Sequence, residues 1–404
     1  MQNPTIVVST YSRLESLKRL LKSLKQSNYI GYENVRLIIS VDKHSTKEED
    51  ILEYLNDFEW QFGEFIIKTY KERQGLKNHF ITCCDFSLEY DAVVFLEDDF
   101  LVSKSFYQYA GSAINFYEDD DRIAGICLYD LNINEFSNRL FSPLLDNNEQ
   151  YFMQLPSWGK IFTKRKWQSF KKWYLSDNVQ NSSVLFPKAL QKWSEQSFKK
   201  EYIKYLVLND KFFVFPRKSF VTNYGDPGEH FIQNDSKFQR PIRVDNKNIE
   251  NFRFSSLDDS FSVYDMFMEI LPEKLKKLNT TLKNYNFTVD LYGIKHRSTI
   301  DTPYVLTSKK VKNPLLTYGR VTVPHETNII FNNAGTLFSL VKTKDIIKRY
   351  KGFNKYFLDG LYDCPGVSPF KLLLIDFWNS IINMKIKYFF KKDSVKFFFR
   401  KQLK

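Results

Sequence analysis

The chain has 404 residues, which is enough to bury a substantial core and to form two domains. Aromatic residues make up 17% of the sequence, including 38 Phe and 24 Tyr, and this content excludes intrinsic disorder over most of the length. The formal net charge of +12 is unevenly placed, because residues 371–404 hold nine Lys or Arg against two Asp, a net of +7. A basic end of this kind favours a membrane surface or another polyanion as partner and argues against a nucleic-acid-binding fold.

The four cysteines show neither the spacing of a disulfide framework nor that of a zinc knuckle, and they indicate a reducing compartment. The first residues lack the basic-then-apolar layout of a signal peptide, and no apolar run reaches the roughly 18 residues that a membrane-spanning helix needs. We therefore expect a cytoplasmic protein, held peripherally on the inner face of the cell membrane.

The first hundred residues alternate between predicted strands and helices. A capping box from Ser12 to Glu15 predicts the start of a helix, and a later helix is expected from about Leu76 to Ser87. This alternation predicts an α/β fold, with a mostly parallel sheet and right-handed crossovers. Glycine-rich dinucleotide and P-loop signatures are absent, which disfavours both of those folds. The apolar segments predicted to be buried strands are residues 5–10, 35–41, 64–70 and 92–96.

Three carboxylates, Glu97, Asp98 and Asp99, come directly after the fourth predicted strand, and Ser103 can then cap a helix that runs to about Tyr117. Acids at the carboxyl end of a buried parallel strand repel one another and are costly to desolvate unless a cation is present. Ligands of open α/β sheets bind at that edge, and Mg²⁺ or Mn²⁺ prefers carboxylate oxygen. The sequence therefore predicts a divalent metal site here. The alternative is a solvated acidic turn before a helix.

Several segments resemble the nucleotide-sugar half of a GT-A glycosyltransferase. They are PTIVVSTYSRLESLKRLLKSL near the start, then SVDKHS, RQGLKNH and VVFLEDD. The opening is similar to the large inverting family 2, and the EDD triplet is similar to the N-acetylglucosaminyltransferase I group and its bacterial relatives. The resemblance continues through SWGKIFTKRKW, KWSEQSF and FPRKSFVTNYGDPGEHF, so it covers about residues 4 to 235.

The resemblance implies a ligand set for Mn²⁺ or Mg²⁺. Asp99, the last acid of the triplet, would be the direct metal ligand, and Glu97 and Asp98 would contact the ribose or metal-bound waters. His230, after TNYGDPGE, could complete the metal shell or hold phosphate, and the alternative is a structural histidine. Gly225 and Gly228 would let this loop close over the donor.

The resemblance also implies contacts to the donor. Asp42, at the end of the second strand, would bind the nucleoside. Trp158 in SWG could stack on a sugar face, with a core tryptophan as the alternative. The candidates for base and phosphate contacts are Thr10, Arg13, Arg73 and Asn78. For Arg73 and Asn78 the alternative is that they are ordinary strand-end or helix-start residues without a binding role.

The acceptor hydroxyl needs a general base, and the resemblance assigns this role to Glu195 in KWSEQSF. The sequence departs from the related pattern there, because it has Glu instead of Asp and Ser194 where an aromatic residue is usual. Glu201 is the second candidate for the base. A surface-helix acid without a catalytic role is the alternative for Glu195.

Three regions are expected: residues 1–245 as the GT-A nucleotide-sugar-binding and catalytic domain, 246–370 as a smaller α+β region near the acceptor side, and 371–404 as a basic amphipathic tail. The tail mixes Phe, Trp and Ile with Lys and Arg, which is typical of an interfacial helix on anionic lipid. A domain-closing helix with a solvated basic end is the alternative for the tail.

The expected function is that of a metal-dependent inverting glycosyltransferase. It would move a sugar from a nucleotide donor, with UDP-N-acetylglucosamine suggested by the EDD likeness, onto a bacterial surface glycan or a lipid-linked saccharide. Two alternatives stay open. One is a sugar-nucleotide nucleotidyltransferase, although the glycine-rich loop of that class is missing, and the other is a non-catalytic membrane-associated scaffold.

Overall fold

The computed structural model describes residues 3–176, 183–194, 197–228, 238–245, 252–319 and 322–347. Glu195, His230 and the tail at 371–404 lie outside the described residues, so the roles expected for them stay predictions. In the part of the chain that is described, no helix is long and apolar enough to cross a membrane.

The described strands and helices alternate along the first half of the chain, as the sequence predicts. The strands are β1 Thr5–Thr10, β2 Leu37–Val41, β3 Phe65–Thr69, β4 Ala92–Glu97, β5 Phe100–Val102, β6 Ile123–Cys127, β7 Ile133–Asn134, β8 Arg139–Leu140, β9 Gln150–Met153, β10 Lys160–Thr163, β11 Phe212–Pro216, β12 Val221–Asn223, β13 Val263–Tyr264, β14 Phe287–Asp290, β15 Tyr304–Thr307, β16 Leu316–Tyr318 and β17 Phe338–Lys342. The α-helices are α1 Leu14–Lys25, α2 Glu48–Asn56, α3 Gly75–Tyr90, α4 Phe106–Tyr117, α5 Lys164–Tyr174, α6 Lys188–Gln191, α7 Phe198–Leu208, α8 Pro272–Leu278 and α9 Glu326–Ile330.

The main sheet has nine strands in the order β13-β9-β11-β6-β10-β4-β1-β2-β3. Strands β3, β2, β1 and β4 are parallel neighbours, and β10 then pairs antiparallel with both β4 and β6. The chain first builds outward from β1 to β3 and then returns to add β4 on the other side of β1. The carboxyl ends of β1 and β4 therefore meet at a topological switch point, which is where α/β sheets bind ligands. The α/β, GT-A-like fold class is confirmed.

Two predicted helix starts differ from the structure. Helix α1 begins at Leu14 with Arg13 at the N-cap and no side-chain capping bond, so the capping box at Ser12 and Glu15 does not form. The strand β5 intervenes after the acidic triplet, and α4 begins at Phe106 behind Ser105, not behind Ser103.

Strand β5 pairs antiparallel with β12, and this ribbon brings the segment after Val221 back onto the acidic edge. A second sheet, in the order β14-β15-β17-β16, lies in the later part of the chain. Strand β13 from that later part joins the main sheet beside β9. The domain boundaries at residues 245 and 370 stay predictions.

An aromatic core packs helices α3, α5 and α7 under the sheet. The rings of Phe80 and Phe198 have centroids 4.0 Å apart, and those of Phe170 and Tyr202 are 4.4 Å apart. Trp167, from the segment SWGKIFTKRKW, is fully buried there and donates its indole N–H to Asp85 over 2.7 Å. This packing fixes the sheet that carries the acidic edge.

Gly125 in β6 leaves no room for a side chain. A Cβ at this position would lie 2.5 Å from the ring of Phe213, its neighbour on β11, and 3.1 Å from that of Phe162. We expect Gly125→Ala to lower the free energy of unfolding by about 1–3 kcal/mol, because the core is overpacked. Urea unfolding measures this change.

The matched background is Phe213→Leu, which removes the closest ring. Gly125→Ala should cost less in that background, so the double-mutant cycle should show a coupling between the two positions. An equal cost in both backgrounds would contradict the packing described here.

Candidate functional site

A cavity of about 310 Å³ opens where the carboxyl ends of β1, β2 and β4 meet the start of α1 and the segment after β12. Most of the residues predicted from the sequence to bind donor or metal line it. Asn78 does not, because it lies exposed on α3. The predicted residues that line the cavity are Thr10, Arg13, Asp42, Arg73, Glu97, Asp98, Asp99 and Trp158.

Arg13 forms a forked ion pair with two acids of the triplet. Its Nη1 donates to Asp99 Oδ2 over 2.9 Å, and its Nη2 donates to Asp98 Oδ1. Thr10 adds a hydrogen bond of 2.9 Å to Asp98 Oδ2. The Asp98 and Asp99 side chains are nearly inaccessible, whereas that of Arg13 is 24% exposed. The end of β1 and the start of α1 thus hold the end of β4.

The electrostatics of the triplet reflect this burial. Burial raises the pKa of Asp98 to about 6, and the neighbouring Asp99 adds to the effect against the opposing influence of Arg13. Burial by itself would lower the pKa of Arg13, but the two carboxylates outweigh it and raise that pKa. Arg13 is therefore a permanent positive charge at this edge.

Glu97, the first acid of the triplet, faces a second cation. Lys160 Nζ from β10 lies 4.0 Å from Glu97 Oε1, and the Lys160 side chain is almost fully buried, with Nζ 5.2 and 5.6 Å from the ring centroids of Phe80 and Phe95. Burial raises the pKa of Glu97, and Lys160 opposes this shift. Two cations, Arg13 and Lys160, therefore partly compensate the charges of the three carboxylates.

Asp42, at the end of β2, is buried and already accepts hydrogen bonds at both oxygens. Its Oδ1 accepts from the backbone N–H groups of Lys43 and Gln74 over 2.9 and 2.7 Å, and its Oδ2 accepts from Gly75 over 2.9 Å. These bonds satisfy the amino end of α3, where a negative charge is favoured. Asp42 thus fixes the rim of the cavity as well as facing into it.

Behind Asp42 lies a histidine that the sequence analysis did not select. His79 Nε2 is 2.8 Å from Ser40 Oγ, which in turn is 2.9 Å from the hydroxyl of Tyr70. Burial lowers the pKa of His79, against the opposing influence of Asp42. His79 also lines the cavity. Its position in the first turns of α3 carries no distinguishing sequence signal.

Arg73 lies at the outer rim of the cavity, just before the amino end of α3. Its guanidinium lies over the ring of Tyr11, 4.8 Å from the centroid, and Tyr11 also contacts the ring of His44 at 4.8 Å. A cation on an aromatic face is stabilised by about 0.5–1 kcal/mol, so this contact helps to hold Arg73 at the mouth of the cavity.

The segment after β12 closes the other side. Asn223 Nδ2 lies 3.3 Å from Asp99 Oδ2, and the N–H of Tyr224 donates to the Asp99 carbonyl over 2.9 Å. Asp226 accepts from Ser16 Oγ over 2.5 Å and pairs with Arg19, so the segment is fastened to α1. Asn223 and Asp226 were not selected from the sequence, because their distance of more than a hundred residues from the triplet is bridged only by the β5–β12 pairing.

Trp158 forms another part of the cavity wall. It is half-buried and meets the rings of Tyr129 and Phe238 edge-on at 4.8 and 5.2 Å. Next to Tyr129, Asp130 is buried and accepts from Arg240 Nη2 over 2.6 Å. These ring contacts hold the Trp158 side chain in place, and Trp158 lines the cavity.

The donor set fits a divalent cation at one atom in particular. Asp99 Oδ1 is buried and has no hydrogen-bond partner in the described part of the chain, which is unusual for a carboxylate oxygen. Among the described residues, no three His, Cys, Asp or Glu side chains form a ready metal cluster. A cation here would therefore rest on Asp99, with its other ligands supplied by water or by substrate phosphates, as is usual for Mg²⁺.

Comparison with known families identifies the class. Residues 5–193, or 189 of the 404, match the model of the family described as glycosyl transferase family 2. The matched region contains β1 to β4, the acidic triplet and Trp158. The chain therefore carries a glycosyltransferase domain, and the enzyme class expected from the sequence is confirmed. No curated protein matches the chain.

Three solved structures have some likeness to the chain. S. aureus TarS 1-349 is 14% identical with a TM-score of 0.33, over 55% of this chain and 60% of that one. The mannosyltransferase PcManGT from Pyrobaculum calidifontis, in complex with GDP-Man and Mn²⁺, is 10% identical with a TM-score of 0.30, over 43% and 47%. GalNAc-T7 with UDP, GalNAc and Mn²⁺ is 14% identical with a TM-score of 0.36, over 54% and 43%. At these values the ligands of those proteins do not transfer to this chain.

Asp130 predicts a pH dependence of stability. Burial raises its pKa to about 6 in spite of Arg240, so between pH 4 and 6 the folded state holds a proton that the unfolded state has lost. The contribution of Asp130 to stability therefore falls as the pH rises through this window. We expect Asp130→Asn to gain stability relative to wild type from pH 4 to pH 7, by at most about 3 kcal/mol.

Urea unfolding at a series of pH values measures the difference in the free energy of unfolding between variant and wild type. The difference at pH 4 serves as the baseline, so a constant loss from the missing ion pair does not affect the change measured up to pH 7. Asp258→Asn is the control, because Arg122 lowers the pKa of Asp258, so this group titrates below the window and its difference from wild type should stay nearly constant from pH 4 to pH 7. Parallel curves for wild type and Asp130→Asn would contradict the assignment.

Proposed function

We propose that this protein is a metal-dependent inverting glycosyltransferase that takes a sugar from a nucleoside diphosphate donor. The observation that carries the proposal is the acidic edge of β4, paired with Arg13 in a cavity at the sheet's switch point, where one buried Asp99 oxygen has no partner among the described residues. Placing three acids around a polar cavity, two of them buried, has no structural benefit of its own, because each ionised carboxylate is costly to desolvate. The arrangement is the one expected where a cation and phosphates bind.

The cavity has two ends that suit the two parts of such a donor. Asp42, Arg73 and the amino end of α3 would take the nucleoside, and Arg13 with Thr10 would take the diphosphate. A UDP-sugar is favoured, and UDP-N-acetylglucosamine rests on the EDD likeness. A Mn²⁺ or Mg²⁺ ion on Asp99 would supply the Lewis acidity that makes the diphosphate a better leaving group. Glu97, Asp98 and His230 would support that ion or its waters.

Trp158 would provide an apolar face for the transferred sugar or for the acceptor, since its ring is held by Tyr129 and Phe238 and one side is open to the cavity. Glu195 remains the proposed general base that removes the proton from the acceptor hydroxyl. Glu201, the second candidate, lies on α7 with Oε2 buried and without a partner, and it does not line the cavity. This favours Glu195.

The proposed acceptor is a bacterial surface glycan or a lipid-linked saccharide. The support is the composition of residues 371–404, where basic and aromatic residues would hold the enzyme on an anionic membrane surface. A nucleotidyltransferase is less well supported, because the matched family transfers sugars. A non-catalytic scaffold remains the outcome if no donor is turned over.

The test is a screen of nucleotide sugars for binding by thermal shift and for hydrolysis, with and without Mn²⁺. We expect one nucleoside diphosphate sugar to stabilise the wild type in the presence of Mn²⁺ and to be hydrolysed slowly. Asp99→Asn should lower kcat/KM by roughly a hundredfold or more, because it removes the charge that holds the cation.

Asp119→Asn serves as the matched control, since Asp119 is an exposed acid after α4, away from the cavity. Equal losses in both variants, or no stabilisation by any nucleotide sugar, would contradict the proposed function.

A further inference from the structure

Arg13 occupies the position from which a cation would approach the acids. Of the four carboxylate oxygens of Asp98 and Asp99, three accept hydrogen bonds from Arg13, Thr10 or Asn223, and Asp99 Oδ1 alone has no partner among the residues that the structure describes. We propose that Arg13 is a built-in counter-cation that leaves the acids for the diphosphate, so that metal and nucleotide bind together and not separately. This inference rests on the proposed function.

The charges of the described cluster support an exchange. Glu97, Asp98 and Asp99 contribute three negative charges, and Arg13 and Lys160 contribute two positive ones, which leaves a net of −1. A divalent cation alone would reverse this to +1, next to the guanidinium. A nucleotide sugar brings one negative charge on each of its two phosphates, so that metal and donor together restore −1. The cluster therefore has the same net charge without ligands as with both metal and donor, whereas metal alone reverses the sign of that charge beside Arg13.

Arg13 is held in place but can be reached from the cavity. Gly228 lies against its guanidinium, since a Cβ there would be 3.3 Å from Nη1, and the same segment is fastened to α1 through Asp226. The Arg13 side chain is 24% exposed and lines the cavity. A phosphate is a good bidentate acceptor for a guanidinium, so the entering diphosphate offers Arg13 a replacement for each bond that it gives up.

The exchange makes Arg13 a positioning residue with opposite effects on two ligands. Without nucleotide it competes with the metal for Asp99, and with nucleotide it helps to hold the phosphates beside the metal. Removing its charge should therefore strengthen the binding of Mn²⁺ alone and weaken the binding of a nucleoside diphosphate. An arginine that only supports the fold would not separate the two affinities in this way.

The experiment measures free Mn²⁺ by electron paramagnetic resonance in titrations of the full chain, with and without UDP as the probe. The variants are Arg13→Gln, Arg13→Lys and Asp99→Asn. Lys18→Ala is the control, because it removes one positive charge from the same helix at an exposed site away from the cavity. We expect Arg13→Gln to bind Mn²⁺ alone about tenfold more tightly than wild type, Lys18→Ala to match wild type, and Asp99→Asn to lose the site.

With UDP present, the advantage of Arg13→Gln should disappear, and its affinity for UDP should fall about tenfold. Arg13→Lys keeps the charge without the fork and should fall between wild type and Arg13→Gln. A thermal scan guards against misfolding: Arg13→Gln should melt lower than wild type without metal, and Mn²⁺ alone should raise its melting temperature by more.

Two results overturn the inference: equal Mn²⁺ affinity of wild type and Arg13→Gln without nucleotide, or unchanged Mn²⁺ binding in Asp99→Asn. If Arg13→Gln gains Mn²⁺ affinity but neither UDP nor GDP binds any variant, Arg13 is shown to compete with the metal, whereas its exchange for the diphosphate and the proposed function both fail. If UDP and Mn²⁺ bind together in wild type and Arg13→Gln gains nothing, the proposed function stands and the role of Arg13 fails.

Discussion

The clustering of three adjacent carboxylates at the end of β4, two of them buried, is the constraint on which the rest of the site depends. Such a cluster is stable only if opposite charges and hydrogen bonds compensate its desolvation. The structure supplies Arg13 from the start of α1, Lys160 from β10 and Asn223 from the end of β12. These groups come from separate parts of the chain, so the acidic edge fixes how the segments meet.

The same compensation gives the cavity its polarity. Asp42 is tied to the amino end of α3, and Asp226 ties the closing segment to α1, so acids at two points of the wall are already paired. Asp99 Oδ1 is the exception, because it is buried without a partner in the described part of the chain. A group left unsatisfied in an otherwise paired wall is what a binding site for a cation requires, and this contrast links the fold to the proposed chemistry.

Much of this could be predicted from the sequence, and the reasons for success and failure are physical. Continuous apolar runs followed by acids identify parallel strands and their carboxyl ends, which is why Thr10, Asp42 and Asp99 were assigned to one edge. Asn78 was misplaced because helical phase decides whether a residue near a helix start faces the cavity. Lys160 and Asp226 were missed because their partners lie far away in sequence, and only the antiparallel pairings of β10 and β12 bring them close. The sequence predicts a capping box for helix α1, but its N-cap residue is Arg13, whose side chain donates to the carboxylates of the acidic triplet instead.

The most direct test of the account is a crystal structure of the chain grown with UDP and Mn²⁺, with the metal located by its anomalous scattering. The account predicts a single strong peak within coordination distance of Asp99, with the diphosphate between that peak and Arg13 and the uracil toward Asp42. A metal peak away from Asp99, or a nucleotide bound outside the cavity at the ends of β1 and β4, would contradict it.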